Sequence, residues 1–431
     1  MTDDRTDADG WTALAEGRWA DARGVFARAL SDDERPEALE GLSWAAWWLD
    51  DAATVFEARS RAYALYRRRG DTHGAARMAT WLAADELDFH GAWPIASGWL
   101  RRAHRLLDGL EPSPEHGWLA FHEGYLAHAG GRSAEARAGA HLAAATGRRF
   151  DVPDLEMLGL ALEGAARVAA ADVGEGVRCL DEATVAALEG RAAIPISSAW
   201  TCCFLVSTCT AIRDTDRAFA WCDRIAEFAE RFGSRYMLAF CRSEYGLVQL
   251  WRGRWRDAES LLAASSEDYA RSRPAWVAAP LAQLAELRRR QGRPADAERL
   301  LDRAGPTRLG QLCRGRLALD AGDAARAVEL AERSLRRTPT DVRVNRVPAL
   351  ELLIRGRCAR GELDEAAVAS DELAGTALAI GTSTLRASAD AAAGMLAAAR
   401  GRHDRARALL ESAVDGFDAS GAPFEAAEAR R

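Results

Sequence analysis

A six-residue phrase punctuates the chain at near-regular intervals, and hydrophobic positions with helical spacing flank it on both sides. It reads GRWADA (17–22), GRSAEA (131–136), GRWRDA (253–258), GRPADA (292–297), GDAARA (322–327), GELDEA (361–366) and GRHDRA (401–406). Weaker copies are DDAATV (50–55), GAWPIA (91–96), DVGEGV (172–177) and RDTDRA (213–218). The phrases open at 17, 50, 91, 131, 172, 213, 253, 292, 322, 361 and 401, so most successive starts lie 39 to 41 residues apart. Downstream, small, larger and small residues follow at spacings of four and three, as in Ala22, Phe26, Ala29 and in Ala406, Leu410, Ala413. These positions share one face of a helix. Seven residues upstream a small residue recurs, among them Gly10, Ala84, Gly124, Gly246, Gly315 and Gly394. Glycine inside a helix costs about 0.5–1 kcal/mol relative to alanine, so its recurrence in register predicts that a neighbouring helix packs closely there. The predicted unit is a helical hairpin repeated about eleven times over 1–431 as a single repeat domain, with an irregularity near 302–321 where the spacing shortens.

The pattern resembles the tetratricopeptide repeat: a small residue, a turn glycine, then small, large and small residues on the second helix. Pro339, after Ala327 and Ser334, stands where that motif ends in proline. The resemblance implies an all-α, right-handed superhelix (an α-solenoid), although a period of about 40 exceeds the usual 34 and other helical-hairpin repeats share it. Longer phrases, such as ALEGLSWAAWWLDD, LRRAHRLLDGLEPSPEHGWLA and PAWVAAPLAQLAELRRRQGRPADAERLL, are similar to the repeat region of actinobacterial LuxR-family transcriptional regulators. That similarity spans nearly the whole chain. It implies a region that senses a ligand or partner and acts with a C-terminal helix-turn-helix, which is expected to lie outside these residues because the sequence stops at SGAPFEAAEARR. DNA would be reached only through that domain.

Composition narrows the function classes. Net charge is -7, which gives no global electrostatic case for nucleic acid or an anionic membrane. The 57 basic residues are all arginine, which excludes a Walker A phosphate clamp and Schiff-base chemistry. No apolar run reaches the length of a membrane span, and a cytoplasmic protein is expected. The eight cysteines form no CxxC pair and read as reduced packing residues. Histidines cluster between His73 and His141, but His122 and His128 fall on different faces of one helix, and neither a metal nor a cofactor is expected. The pairs Asp32–Asp33 and Asp50–Asp51 read as turns and helix N-caps. No nucleophile elbow or glycine-rich phosphate loop is present in the sequence, so binding is expected and catalysis is not.

In tetratricopeptide solenoids the first helix of each hairpin lines the concave surface. Carried onto this sequence, that register selects Trp44, Trp47 and Trp48, then Trp81, Asp85, Asp88 and Phe89. It continues with Trp118, Phe121, Tyr125 and His128, and reaches Trp200, Phe240 and Trp251. Beyond 292 the same positions become small or charged. Aromatic rings offer large contact area with few torsions to freeze, so this half of the groove is the expected site for a small apolar or aromatic ligand or a peptide segment. Two alternatives stay open: the rings pack the core between repeats, or the chain is a protein-interaction scaffold without a small-molecule site. Self-association as a homodimer is compatible with either.

Overall fold

A computed structural model describes residues 3–190 and 192–431. Its α-helices pair as antiparallel hairpins: α1 (Asp3–Ala15) with α2 (Trp19–Asp32), α3 (Pro36–Trp48) with α4 (Ala52–Arg69), and α5 (Thr72–Asp85) with α6 (Trp93–Leu107). They continue as α7 (Pro114–Ala129) with α8 (Ser133–Phe150), α9 (Pro153–Ala169) with α10 (Val173–Leu188), and α11 (Pro195–Ala211) with α12 (Thr215–Phe232). The second half holds α13 (Arg235–Trp251) with α14 (Trp255–Ser272), α15 (Ala278–Arg290) with α16 (Pro294–Ala304), and α17 (Arg308–Asp320) with α18 (Ala324–Arg336). The last pairs are α19 (Arg343–Arg360) with α20 (Leu363–Ile380) and α21 (Ser383–Ala399) with α22 (His403–Ala419); α23 (Pro423–Arg430) follows alone in a first-helix position. One π-helical turn, Glu86–His90, extends α5, and a 3-10 turn, Pro274–Trp276, precedes α15. The chain is an all-α solenoid of tetratricopeptide-like hairpins.

Every hairpin turn but the one at Gly91, which follows the π-helical turn, has the same capping bonds. One residue sits in the left-handed region at Gly17, Asp50, Gly91, Gly131, Ala171, Arg213, Gly253, Gly292, Gly322, Gly361 and Gly401. The amides around it cap the preceding helix: Gly131 N–H donates to His128 O and Arg132 N–H to Ala127 O, the paired bonds of a Schellman end. The phrase register therefore marks the turns, with a one-residue difference at Ala171, where the pattern indicates Asp172. The upstream small residues do what close packing requires. The Phe26 ring lies between α1 and α3, so that a Cβ at Gly10 or Gly41 would fall 2.5 or 2.2 Å from it. Leu262 meets Gly246 and Leu410 meets Gly394 in the same way. Near 302–321 the helices shorten, and Gly305 at φ 71° turns the chain from α16 into α17.

The solenoid closes on itself. Hairpin turns on one rim meet inter-hairpin connections on the other rim, four to six hairpins further along. A Cβ at Gly91 would lie 3.3 Å from Ala275, one at Gly131 3.0 Å from Pro339, and one at Gly253 2.8 Å from Pro423. The Thr382 hydroxyl donates to Ile212 O at 2.9 Å, and Arg213 clamps Glu351 at 2.7 and 2.8 Å. The tightest clasp is Arg273, in the connection between α14 and α15. Its side chain is fully enclosed, and it reaches across 223 residues of sequence to Asp50 Oδ1 at 2.8 Å. It also donates to Trp47 O at 3.4 Å, and its guanidinium sits over the rings of Phe89, Trp47 and Tyr236 at 3.9, 4.5 and 5.2 Å.

Removing one partner of a buried ion pair leaves an uncompensated charge and costs about 3–5 kcal/mol, while exposed pairs contribute about 0–1 kcal/mol. Arg273→Ala is therefore expected to lower stability by about 3–5 kcal/mol. Arg61→Ala, which removes the half-exposed pairs with Glu34 and Glu57, should change it by under about 1 kcal/mol. Urea midpoints followed by tryptophan fluorescence check both; equal effects would contradict the clasp.

Candidate functional site

Closure brings the first-helix aromatics of the N-terminal hairpins into one interior. Trp44, Trp81, Trp118, Trp200 and Phe121 form a continuous chain of ring contacts: Trp44–Trp81 at 4.7 Å, Trp81–Trp118 at 5.1 Å, Trp81–Trp200 at 6.1 Å and Phe121–Trp200 at 5.9 Å. Tyr125 and His128 join through Phe204 at 6.0 and 6.2 Å. Trp47 and Phe89 face Arg273, and Trp48 stacks on Trp19 at 4.4 Å. Phe240 packs half-buried against the same core without joining these ring contacts. Trp251 lies elsewhere, beneath Arg213 and Arg290 in the C-terminal half. Trp44, Trp47, Trp81, Trp118 and Phe121 are buried, because the next superhelical turn covers the face that an isolated hairpin would expose.

A cavity of about 170 Å³ opens at the N-terminal mouth of this interior. Six indoles wall it: Trp11, Trp19, Trp44, Trp48, Trp81 and Trp118. Its polar group is one ion pair, in which Arg77 donates to both oxygens of Glu40 at 2.8 and 2.9 Å. Tyr66 and Glu115 hold that pair in place, the first donating to Glu40 at 3.1 Å and the second accepting from Arg77 at 3.0 Å. The far wall is the connection Ala193–Pro195. Buried Asp154 fixes it by accepting the amides of Ala193 and Ile194 at 2.9 and 3.1 Å. Trp11 borders the opening and is 39% exposed.

Behind the indoles lies a buried polar cluster that the first-helix register does not identify in full. Arg59, on the second helix α4, sits 4.5 Å over Trp44 and 5.5 Å over Trp81. Its Nη1 approaches Asp85 Oδ2 at 2.9 Å, within ion-pair range but off the hydrogen-bonding direction, and its Nη2 has no hydrogen-bond partner. Burial pushes the carboxyl of Asp85 up to about 6 and that of Asp88 up to about 7, against the pull of Arg59 and Arg273. His122 is enclosed by Trp81 and Trp200 at 5.3 and 5.5 Å; burial and then Arg59 lower it to about 3, so it is neutral. Cys202 on α11 and Cys241 on α13 are buried, and burial keeps their thiols protonated. Among the described residues no group of three or more His, Cys, Asp or Glu is placed to hold a metal ion. Among the described residues no helix is long and apolar enough to cross a membrane.

An unfolded carboxylate loses its proton near about 3.9, whereas folded Asp88 keeps it up to about 7. The folded state therefore binds the extra proton between these values, and the stability contributed by this group falls as pH rises from about 4 to about 7. His122 works in the opposite sense, costing stability as pH falls from about 6.5 toward about 3. Asp88→Asn mimics the protonated carboxyl. It should raise the urea midpoint relative to wild type by more at pH 8 than at pH 5, and an equal shift at both would contradict the burial of a strained carboxylate.

No family model matches the chain, and no curated protein matches it. Among solved structures it is similar to a Rap protein complexed with Competence and Sporulation Factor, at 11% identity and TM-score 0.56 over 88% of this chain and 98% of that one. An IFIT1 monomeric mutant with Gppp-AAAA gives TM-score 0.48 at 11% identity over 95% and 89% of the two chains. Yeast Tom70 gives 0.34 at 13% identity over 100% and 96%. The likeness to the Rap protein shows the fold, an all-α solenoid of helical hairpins.

Proposed function

We propose that the chain is a ligand-sensing helical-repeat region that works by binding and not by catalysis, of the kind found in LuxR-type transcriptional regulators. The observation that carries this reading is the 170 Å³ cavity with six indole walls and a single oriented ion pair. Ligand sites combine predominantly apolar, aromatic walls with a few placed polar groups, and this composition suits a flat apolar or aromatic small molecule or the aromatic side chain of a peptide. The regulatory assignment rests on the quoted phrases shared with the LuxR-type repeat region.

The position of the cavity supplies a mechanism. Its walls come from α1, α2, α3, α5 and α7 together with the connection before α11, so a bound ring touches elements from both ends of one superhelical turn. A ligand shifts an equilibrium only through contacts that differ between states. Here those contacts exist only while α1 faces the Ala193–Pro195 connection, so occupancy favours the closed curvature. A domain attached to the repeats would read that change as a new position or a new surface.

Titration with 4-nitrobenzyl alcohol, a flat aromatic quencher of indole emission, tests the site. Saturable quenching is expected. Trp11→Ala, at the partly exposed lip, should weaken it about tenfold, in line with the energetic weight of aromatic anchors. Trp93→Ala, 45% exposed on α6, should leave it unchanged. Quenching that rises linearly with the probe and ignores Trp11→Ala would overturn the assignment.

A further inference from the structure

We propose that the C-terminal half of the superhelix carries a second binding site, for a free α-amino acid with an apolar or aromatic side chain. It is separate from the tryptophan-lined mouth and does not depend on the reading given to that cavity. A cavity of about 140 Å³ lies inside the turn formed by α13, α15, α17, α19, α21 and α23. That is the scale of a cavity known to hold a benzene-sized group. Trp251, Leu352, Met395, Phe417 and Phe424 supply its apolar surface.

Most of the charge around this cavity is already paired. Arg213 holds Glu351 at 2.7 Å, Arg289 holds Glu286 at 2.9 Å and Asp320 at 2.7 Å, and Arg355 holds Glu428 at 3.0 Å. What remains unpaired is specific. Glu286 serves three guanidinium groups, and the third, Arg316, reaches it only at 3.5 Å. Arg290 Nη1 is buried and has no hydrogen-bond partner, on a side chain only 5% exposed. Across from it, Glu425 meets Arg290 Nη2 through Oε1 at 2.7 Å while its own Oε2 is buried and also without a partner.

One cluster thus presents a spare cationic donor on Arg290, with the loosely paired Arg316 nearby, beside a spare carboxylate acceptor on Glu425. Buried polar atoms are normally satisfied, and each exception calls for a partner. An α-amino acid brings a carboxylate and an ammonium two bonds apart, which matches a donor and an acceptor that flank a single ion pair. Its carboxylate would accept from Arg290 Nη1 and Arg316, and its ammonium would donate to Glu425 Oε2. Its side chain would enter the space between Trp251 and Phe424, the rings over which Arg290 already sits at 5.4 and 4.6 Å. A simple carboxylate would satisfy the arginines but face Glu425 with like charge, and a simple amine would face Arg290. Recognition therefore requires both groups. Because Phe424 and Glu425 belong to α23, a bound amino acid would also fasten that helix against α13 and α15.

Calorimetric titration of the full chain with L-phenylalanine and L-leucine tests the proposal, with 3-phenylpropanoate and 2-phenylethylamine as the single-charge controls. Saturable binding of at least one amino acid, ten times or more tighter than either control, is expected. Glu425→Gln and Arg290→Gln should each weaken it at least tenfold, with circular dichroism confirming that the variants keep their helix content. If Arg290→Gln unfolds, the conservative Glu425→Gln still decides the question. Trp11→Ala should leave amino-acid binding unchanged, which separates this site from the N-terminal mouth. Amide exchange in 423–430 should slow on binding. No saturable binding, or equal binding of amino acids and single-charge controls, would overturn the proposal and leave Arg290 and Glu425 as a closing ion pair only.

Discussion

The rest of the structure depends on one enclosed guanidinium. Arg273 is buried in a box of Trp47, Phe89 and Tyr236, with Asp50 as its counter-charge and the Trp47 carbonyl as a further acceptor. A buried cation survives only when rings and acceptors replace its water. Three elements supply them: α3 with the turn after it, the π-helical turn after α5 and the start of α13. The arrangement therefore exists only if the second turn of the superhelix lies directly on the first. An apolar residue could fill the same space, but it would specify this register less sharply, since Asp50 would then keep only the half-exposed Arg235 at 3.3 Å.

Closure changes what a first-helix aromatic means. In an open solenoid such residues face a groove; here the next turn covers them, and the groove becomes a core that keeps a cavity in each half. The N-terminal cavity keeps the aromatic character of its hairpins, with one ion pair at its base. The C-terminal cavity inherits the charged first-helix positions and the last helix, so its surface alternates arginine and carboxylate against a few rings. The two sites differ in chemistry for a plain reason: repeats share a backbone register but not the residues that point inward.

The hairpins were legible in the sequence because each turn requires one left-handed residue and each helix pair one close approach, and both needs recur with the repeat. Gly10, Gly246 and Gly394 mark a close helix approach from spacing alone, and the structure shows that the large residues Phe26, Leu262 and Leu410 fill it. Closure was not legible. Its contacts join residues 135 to 226 positions apart, and the connections that take part carry no periodic signal. Asp50 reads as half of a turn-and-cap pair; Asp51 is the cap, accepting from Thr54 N–H, while Asp50 is the clasp. Arg59 and Arg273 escaped the register because they stand on a second helix and on a connection. Trp251 fell on the expected first-helix position, but closure put it in the other cavity, with Arg213 and Arg290 above it.

Amide hydrogen exchange tests closure most directly. Residues 43–50, 85–90 and 268–277 meet at the Arg273 clasp, although they are far apart in the chain. Opening one would expose the others, so the three segments should share one exchange free energy and lose protection together in Arg273→Ala. Independent exchange of the three segments, with the first two unchanged by that substitution, would mean that the superhelix is open and that its interior is a groove after all.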